Sequence, residues 1–143
     1  MKIVIIEDEH LAARRLESML KVSVPDIQIV AIIESVKESV DWFQNNPHPD
    51  LIFLDIHLED DLSFLIFDRV RVNSPIIFTT AYDEYAIRAF KLKSIDYLLK
   101  PIVQEELDNA IRKYNELVVP ASQSVDFSQL YKLITKQNVS LRP

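Results

Sequence analysis

Apolar positions along this chain fall into two alternating kinds of run. Short unbroken stretches rich in Ile and Val recur at Ile3 to Ile6, Ile27 to Ile33 with Gln28 inside, Leu51 to Leu54, Ile76 to Phe78 running into Thr79 and Thr80, and Ile95 to Leu99. Continuous apolar character at strand length is what a strand buried on both faces requires. Between these runs the period changes. Leu107, Ala110, Ile111, Tyr114, Leu117 and Val118 follow i, i+3, i+4, i+7 spacing, as do Ala12 or Ala13 with Leu16, Met19 and Leu20. Ser35 with Glu38 forms a capping-box pattern ahead of Val36, Val40 and Phe43, and Asn45-Asn46-Pro47 supplies a stop, so a helix is predicted over 36–45. Residues 62–72 and 83–91 have weaker periodicity and are assigned to helices partly because each lies between two strands.

Five strands alternating with five helices give an α/β fold: a doubly wound, five-stranded parallel sheet of order 2-1-3-4-5, flavodoxin-like, with helices on both faces. That order puts strands 1 and 3 at the switch point, where ligands bind beyond the carboxyl ends of strands. After Val118 the composition shifts. "VVPASQSVDFSQ" reads as a linker, and Phe127, Leu130, Tyr131 and Ile134 suggest a short amphipathic helix. Residues 1–118 are therefore expected to form one domain, and 119–143 a linker with a short amphipathic helix.

Composition narrows the function classes. The chain of 143 residues is 48% hydrophobic and 27% charged, too apolar for disorder, and no apolar run approaches a membrane span. "MKIVIIEDEH" lacks the apolar region and cleavage site of a signal peptide, so a cytoplasmic location is expected. The absence of cysteine excludes disulfides and thiol nucleophiles, and the absence of glycine removes every glycine-rich phosphate cradle. Net charge is −6; Lys132, Lys136 and Arg142 against Asp126 make 119–143 +2, which leaves −8 on residues 1–118. An acidic body of this kind is a poor DNA binder by itself.

The chemistry lies at the strand ends. Strand 1 runs into Glu7-Asp8-Glu9, strand 3 into Asp55, strand 4 into Thr79-Thr80 and strand 5 into Lys100-Pro101. In a parallel sheet these ends share one rim. Clustered carboxylates repel unless a cation neutralises them, and magnesium suits all-oxygen ligation with a few carboxylates and retained waters. Asp8 and Asp55 are the expected direct ligands, Glu7 or Glu9 would reach through water, and the backbone carbonyl of His57 could complete the set. Asp55 is also placed to act as a carboxylate nucleophile forming an acyl phosphate, with Lys100 and Thr80 contacting the phosphoryl oxygens. Taken singly, each feature has a plainer reading. Acids after a strand favour the next helix, Lys-Pro can open a helix, and Thr80 and Tyr97 suit strand positions.

Together the motifs resemble the receiver domain of bacterial two-component response regulators over residues 1 to about 118. "VIIEDE" is similar to the family's acidic pair, "LIFLDIHL" to its phosphoacceptor strand, "FTTA" to its switch hydroxyl and "DYLLKP" to its aromatic position and lysine. "AYDEYAIRAFKLKSIDYLLKPI" resembles receivers that precede a LytTR-type (LytR/AlgR-like) DNA-binding domain. The resemblance implies a phosphoprotein that takes phosphate from a sensor histidine kinase on Asp55. Glu7 and Asp8 would organise Mg2+, and Lys100, from a cis Lys100-Pro101 bond, would contact the phosphoryl group. Thr80 and Tyr97 would act as the switch, biasing a homodimer surface on the fourth predicted helix, fifth strand and fifth helix. DNA would be reached only through the absent C-terminal domain, and no enzymatic turnover is implied beyond self-phosphorylation and autodephosphorylation. One departure stands out: Asp61 occupies a position where the family usually has glycine, and another acid there is expected to affect phosphoryl binding or lifetime. A stand-alone receiver acting by docking is a second reading. A magnesium-dependent phosphatase with an aspartate nucleophile is disfavoured by His57 at its second-acid position, and a flavin carrier by the acids of the first loop.

Overall fold

The computed structural model describes residues 1–81 and 96–118. Its strands are β1 (Lys2–Ile6), β2 (Gln28–Ile33), β3 (Leu51–Asp55), β4 (Ile76–Thr80) and β5 (Asp96–Leu99). The helices are α1 (His10–Ser23), α2 (Val36–Asn45), α3 (Leu65–Arg69) and α4 (Gln104–Val118). Here α4 is the fifth helix expected from the sequence; the helix expected over 83–91 and the linker at 119–143 lie outside the described residues.

The strands form one parallel sheet of order β2-β1-β3-β4-β5, as the alternating pattern predicts. Side chains alternate across it. Ile3, Ile5, Leu51, Phe53 and Ile77 pack with Leu16 and Leu20 of α1 and with Leu107 and Ile111 of α4. Val4, Ile6, Ile52, Leu54 and Phe78 pack on the opposite face with Phe43 of α2 and Ile66 of α3. β1, β3 and β4 are therefore covered on both faces, which is why their sequences are continuously apolar. Their carboxyl ends, held by two cores, form a rigid rim.

The 36–45 helix lies where its capping signals predict, with the Ser35 hydroxyl accepting the Glu38 N–H at 3.1 Å. α3 is shorter than the predicted 62–72. Leu62 is taken up in an antiparallel bridge with His57, and Val70 turns extended after its N–H closes the last turn on Ile66. Val70 and Val72 then favour extended backbone ahead of Pro75, so a helix cannot continue.

Candidate functional site

Parallel register sets the site. Ile6 pairs with Leu54, so Glu7 and Asp55 emerge side by side; Asp55 pairs with Thr79, and Thr80 with Leu99, which brings Lys100 to the same rim. The Lys100 backbone N–H donates to the Thr80 carbonyl at 2.7 Å, and the Lys100-Pro101 bond is cis, as the family resemblance implied. Lys100 Nζ donates to Asp55 Oδ2 at 2.8 Å and also to Glu7 Oε1. The second oxygens are held by backbone: Glu9 N–H donates to Glu7 Oε2 at 3.1 Å and His57 N–H to Asp55 Oδ1 at 3.3 Å. Positions up to 93 apart in sequence thus meet in one network.

Glu7 and Asp55 are buried, at 4% and 6% exposure, whereas Asp8 is half-buried. Burial pushes the Glu7 carboxyl up to about 7, against the lowering pull of Lys100 and of the Glu9 N–H, and neighbouring Asp55 adds to the rise. Burial alone would lower the Lys100 ammonium, but its bonds to Asp55 and Glu7 outweigh that and hold it above its ordinary range. One ammonium is too little for this set. Oxygens from Glu7, Asp8 and Asp55 lie within 4.8 Å of one another, an all-oxygen, acid-only donor set open to solvent at Asp8. Such a donor set fits magnesium, a hard cation that keeps several waters. Glu7, expected to act through water, sits deeper than Asp8 and in direct contact with Lys100.

A groove of about 670 Å³ opens over this network, lined by Glu7, Asp8, Asp55, His57 and Lys100 and continuing along Arg15 and Met19 of α1. Glu7, Asp8, Glu9, Asp55, His57 and Lys100, all singled out from the sequence, are therefore brought together. Thr80 is not among the lining residues; Thr79 and Ala81 are. Alternation along β4 puts Thr79 on the Asp55 side and Thr80 with Phe78 on the other, where Tyr97 also packs. Thr80 and Tyr97 thus share one face of the sheet. Asp61 does not line the groove either: its carboxylate accepts the Leu62 N–H at 2.8 Å, and its carbonyl accepts the Leu58 N–H at 3.1 Å. The turn is closed by Asp61's own backbone and side chain. The contacts of Asp60, beside it, were not legible in the sequence, because its partners lie on α2, 23 and 24 positions earlier.

With this geometry in place, known proteins give a consistent picture. The model of the response regulator receiver domain matches residues 3–112. The sensory transduction protein LytT of Bacillus anthracis is 34% identical over 119 residues, covering 81% of this chain and 48% of that protein. The transcriptional regulatory protein LytR of Staphylococcus aureus is 36% identical over 116 residues, covering 79% and 46%. This chain therefore spans about half the length of these relatives. Among solved structures, the response regulatory domain of protein mrkE from Klebsiella pneumoniae superposes with a TM-score of 0.68 at 30% identity, covering 81% of this chain and 96% of that one. The parallel sheet, the order of the motifs and these matches converge: the chain belongs to the response regulator receiver-domain family, with LytT and LytR response regulators among its homologues.

Proposed function

We propose that this receiver accepts a phosphoryl group on Asp55 from a sensor histidine kinase and thereby controls a transcription-regulating DNA-binding domain in a longer protein. The observation that carries this reading is the Lys100 ammonium hydrogen-bonded to the Asp55 carboxylate at a rim shared with Glu7 and Asp8. In the transfer, a carboxylate oxygen of Asp55 forms a bond to phosphorus while the donor's phosphorus–nitrogen bond breaks, its electron pair remaining on the imidazole nitrogen. The enclosing β-strands hold the nucleophile still, and the His57 N–H keeps its carboxylate oriented. Lys100, released from Asp55, follows the charge to the phosphoryl oxygens. Magnesium, held by Asp8 and Asp55 with Glu7 beside them and the His57 carbonyl, would supply the remaining neutralisation of phosphoryl charge.

The Thr80 hydroxyl would turn towards the new phosphoryl group and Tyr97, on the same face, would change rotamer with it. A change there would bias the β5–α4 side of the domain between two states, the surface on which a homodimer is proposed. The names of the relatives, sensory transduction and transcriptional regulation, support such an output. Residues 1–118 would form the receiver and 119–143 the linker towards the DNA-binding domain. The domain would work in the cytoplasm and turn over no substrate beyond its own phosphorylation and dephosphorylation. Among the described residues, no helix is long and apolar enough to cross a membrane. Incubation with acetyl phosphate and Mg2+ should add one phosphate by intact mass, and Asp55→Asn should abolish the addition. Equal labelling of the variant would overturn the assignment.

A further inference from the structure

The loop that follows the phosphoacceptor is fastened at an unexpected place. From Ile56 to Ser63 the chain forms a small hairpin: Ile56 N–H donates to the Thr79 carbonyl at 3.0 Å, Ser63 N–H to the Ile56 carbonyl at 2.9 Å, and His57 bridges Leu62. Its tip, Glu59 to Asp61, is exposed, between Leu58 and Leu62, which pack against the core. Asp60 fastens the tip itself. Its Oδ1 accepts the Val36 N–H at 2.9 Å and its Oδ2 the Lys37 N–H at 3.2 Å, while Ser35 takes the Glu38 N–H. The first three amides of α2, which no helix can satisfy internally, are thus filled by side chains, two of them by a carboxylate from the phosphoacceptor loop. The slight burial of Asp60 would raise its carboxyl, but these amides, with those of Asp60 and Asp61, outweigh it and hold the group below the ordinary carboxylate range. The negative charge also lies at the favourable end of the helix.

We propose that Asp60 is a positioning residue, whose two bonds to the amino end of α2 hold the His57 segment against Asp55 and so preorganise the magnesium and phosphoryl site. The link rests on the function proposed above and runs through named contacts. Asp60 fixes the hairpin tip, the hairpin fixes His57, and the His57 N–H orients Asp55. Removing the carboxylate frees two helix amides and one end of the hairpin together. A residue serving only as a helix cap would affect α2 alone.

Ser35 makes the distinction testable, because its hydrogen bonds cap the same helix and go to Glu38 and Ser39 of α2, not to the loop. Asp60→Ala, Asp60→Asn and Ser35→Ala would be compared with the unaltered protein by amide hydrogen exchange and by Mg2+ titration followed through amide chemical shifts, with no phosphodonor present. Asp60→Ala is expected to speed exchange at Val36, Lys37 and Leu58 to Ser63 together by about tenfold, and to weaken Mg2+ binding by about tenfold. Asp60→Asn, which keeps the size and one acceptor, should fall between. Ser35→Ala should speed exchange at the start of α2 and leave Mg2+ affinity within about twofold. The proposal is overturned if Asp60→Ala loosens α2 while the hairpin and Mg2+ affinity stay unchanged, or if Ser35→Ala weakens Mg2+ as much. A protein that binds Mg2+ and responds as described but is never phosphorylated would leave the clamp standing and overturn the proposed function instead.

Discussion

Replacing Glu7 by Gln isolates a buried carboxyl held well above its ordinary titration range. Glu7 is buried beside Asp55, and its carboxyl is pushed from 4.5 up to about 7 chiefly by that burial. Between those two values the folded state holds a proton on Glu7 that the unfolded state has released, so stability must fall as pH rises through this window and level off above it. At 1.36 kcal/mol per pKa unit the ceiling is about 3 kcal/mol, and about 2 kcal/mol is the expected size once water at the open rim is allowed for. Glutamine is neutral throughout and lacks this slope. Urea denaturation in EDTA at steps from pH 5 to pH 8 should therefore show Glu7→Gln gaining on the unaltered protein by about 2 kcal/mol, nearly all of it before pH 7. Saturating Mg2+ at pH 8 should reverse the order, since a cation bound only by the folded state stabilises by about 2.7 kcal/mol at a hundred times its dissociation constant. A difference that stays flat with pH, or that grows towards low pH, would refute the account of Glu7. A variant that gains as much from Mg2+ as the unaltered protein would refute its place in the metal site.

Two further substitutions probe the scaffold beneath the rim. The Ser63 hydroxyl is buried, with no hydrogen-bond partner among the described residues, while its backbone N–H stays bonded to Ile56. Ser63→Ala should therefore raise stability by about 1 kcal/mol in urea melts, and a loss of that size would show that the hydroxyl has a partner. Phe78 has no exposed surface and packs against Phe64 with ring centroids 5.6 Å apart, so Phe78→Ala should cost about 3–5 kcal/mol. A midpoint shift equivalent to less than about 1 kcal/mol would mean that this core collapses around the gap.

What could be read from the sequence was whatever short-range rules determine. Unbroken apolar runs gave the strands, βα alternation gave the order 2-1-3-4-5, and parallel strands sharing one rim brought Glu7, Asp8, Asp55 and Lys100 together across the whole chain. The α3 boundary was not legible, because its first residues are drawn into a hairpin by pairing between Leu62 and His57 that no helical period encodes. Asp60 was hidden for a related reason. An aspartate usually caps the helix it precedes, whereas this one caps α2, which lies before it in the chain. The two threonines show the limit at single-residue scale. Their sequence places both at the end of one strand, and the Asp55–Thr79 register sets which face of the sheet each takes. Asp61 drew attention because the resemblance implied glycine there; its carboxylate accepts the Leu62 amide within the turn.

The central claim is that Asp55, and no other acid of the rim, carries the phosphoryl group. Borohydride reduces an acyl phosphate to the alcohol, so an aspartyl phosphate is trapped as homoserine at its own position. After incubation with acetyl phosphate and Mg2+, peptide mass spectrometry of the reduced protein should find homoserine at position 55 alone, and none when EDTA replaces Mg2+. Reduction at Glu7 or Asp8, or an unmodified position 55 in protein whose intact mass had shown phosphate, would contradict the account.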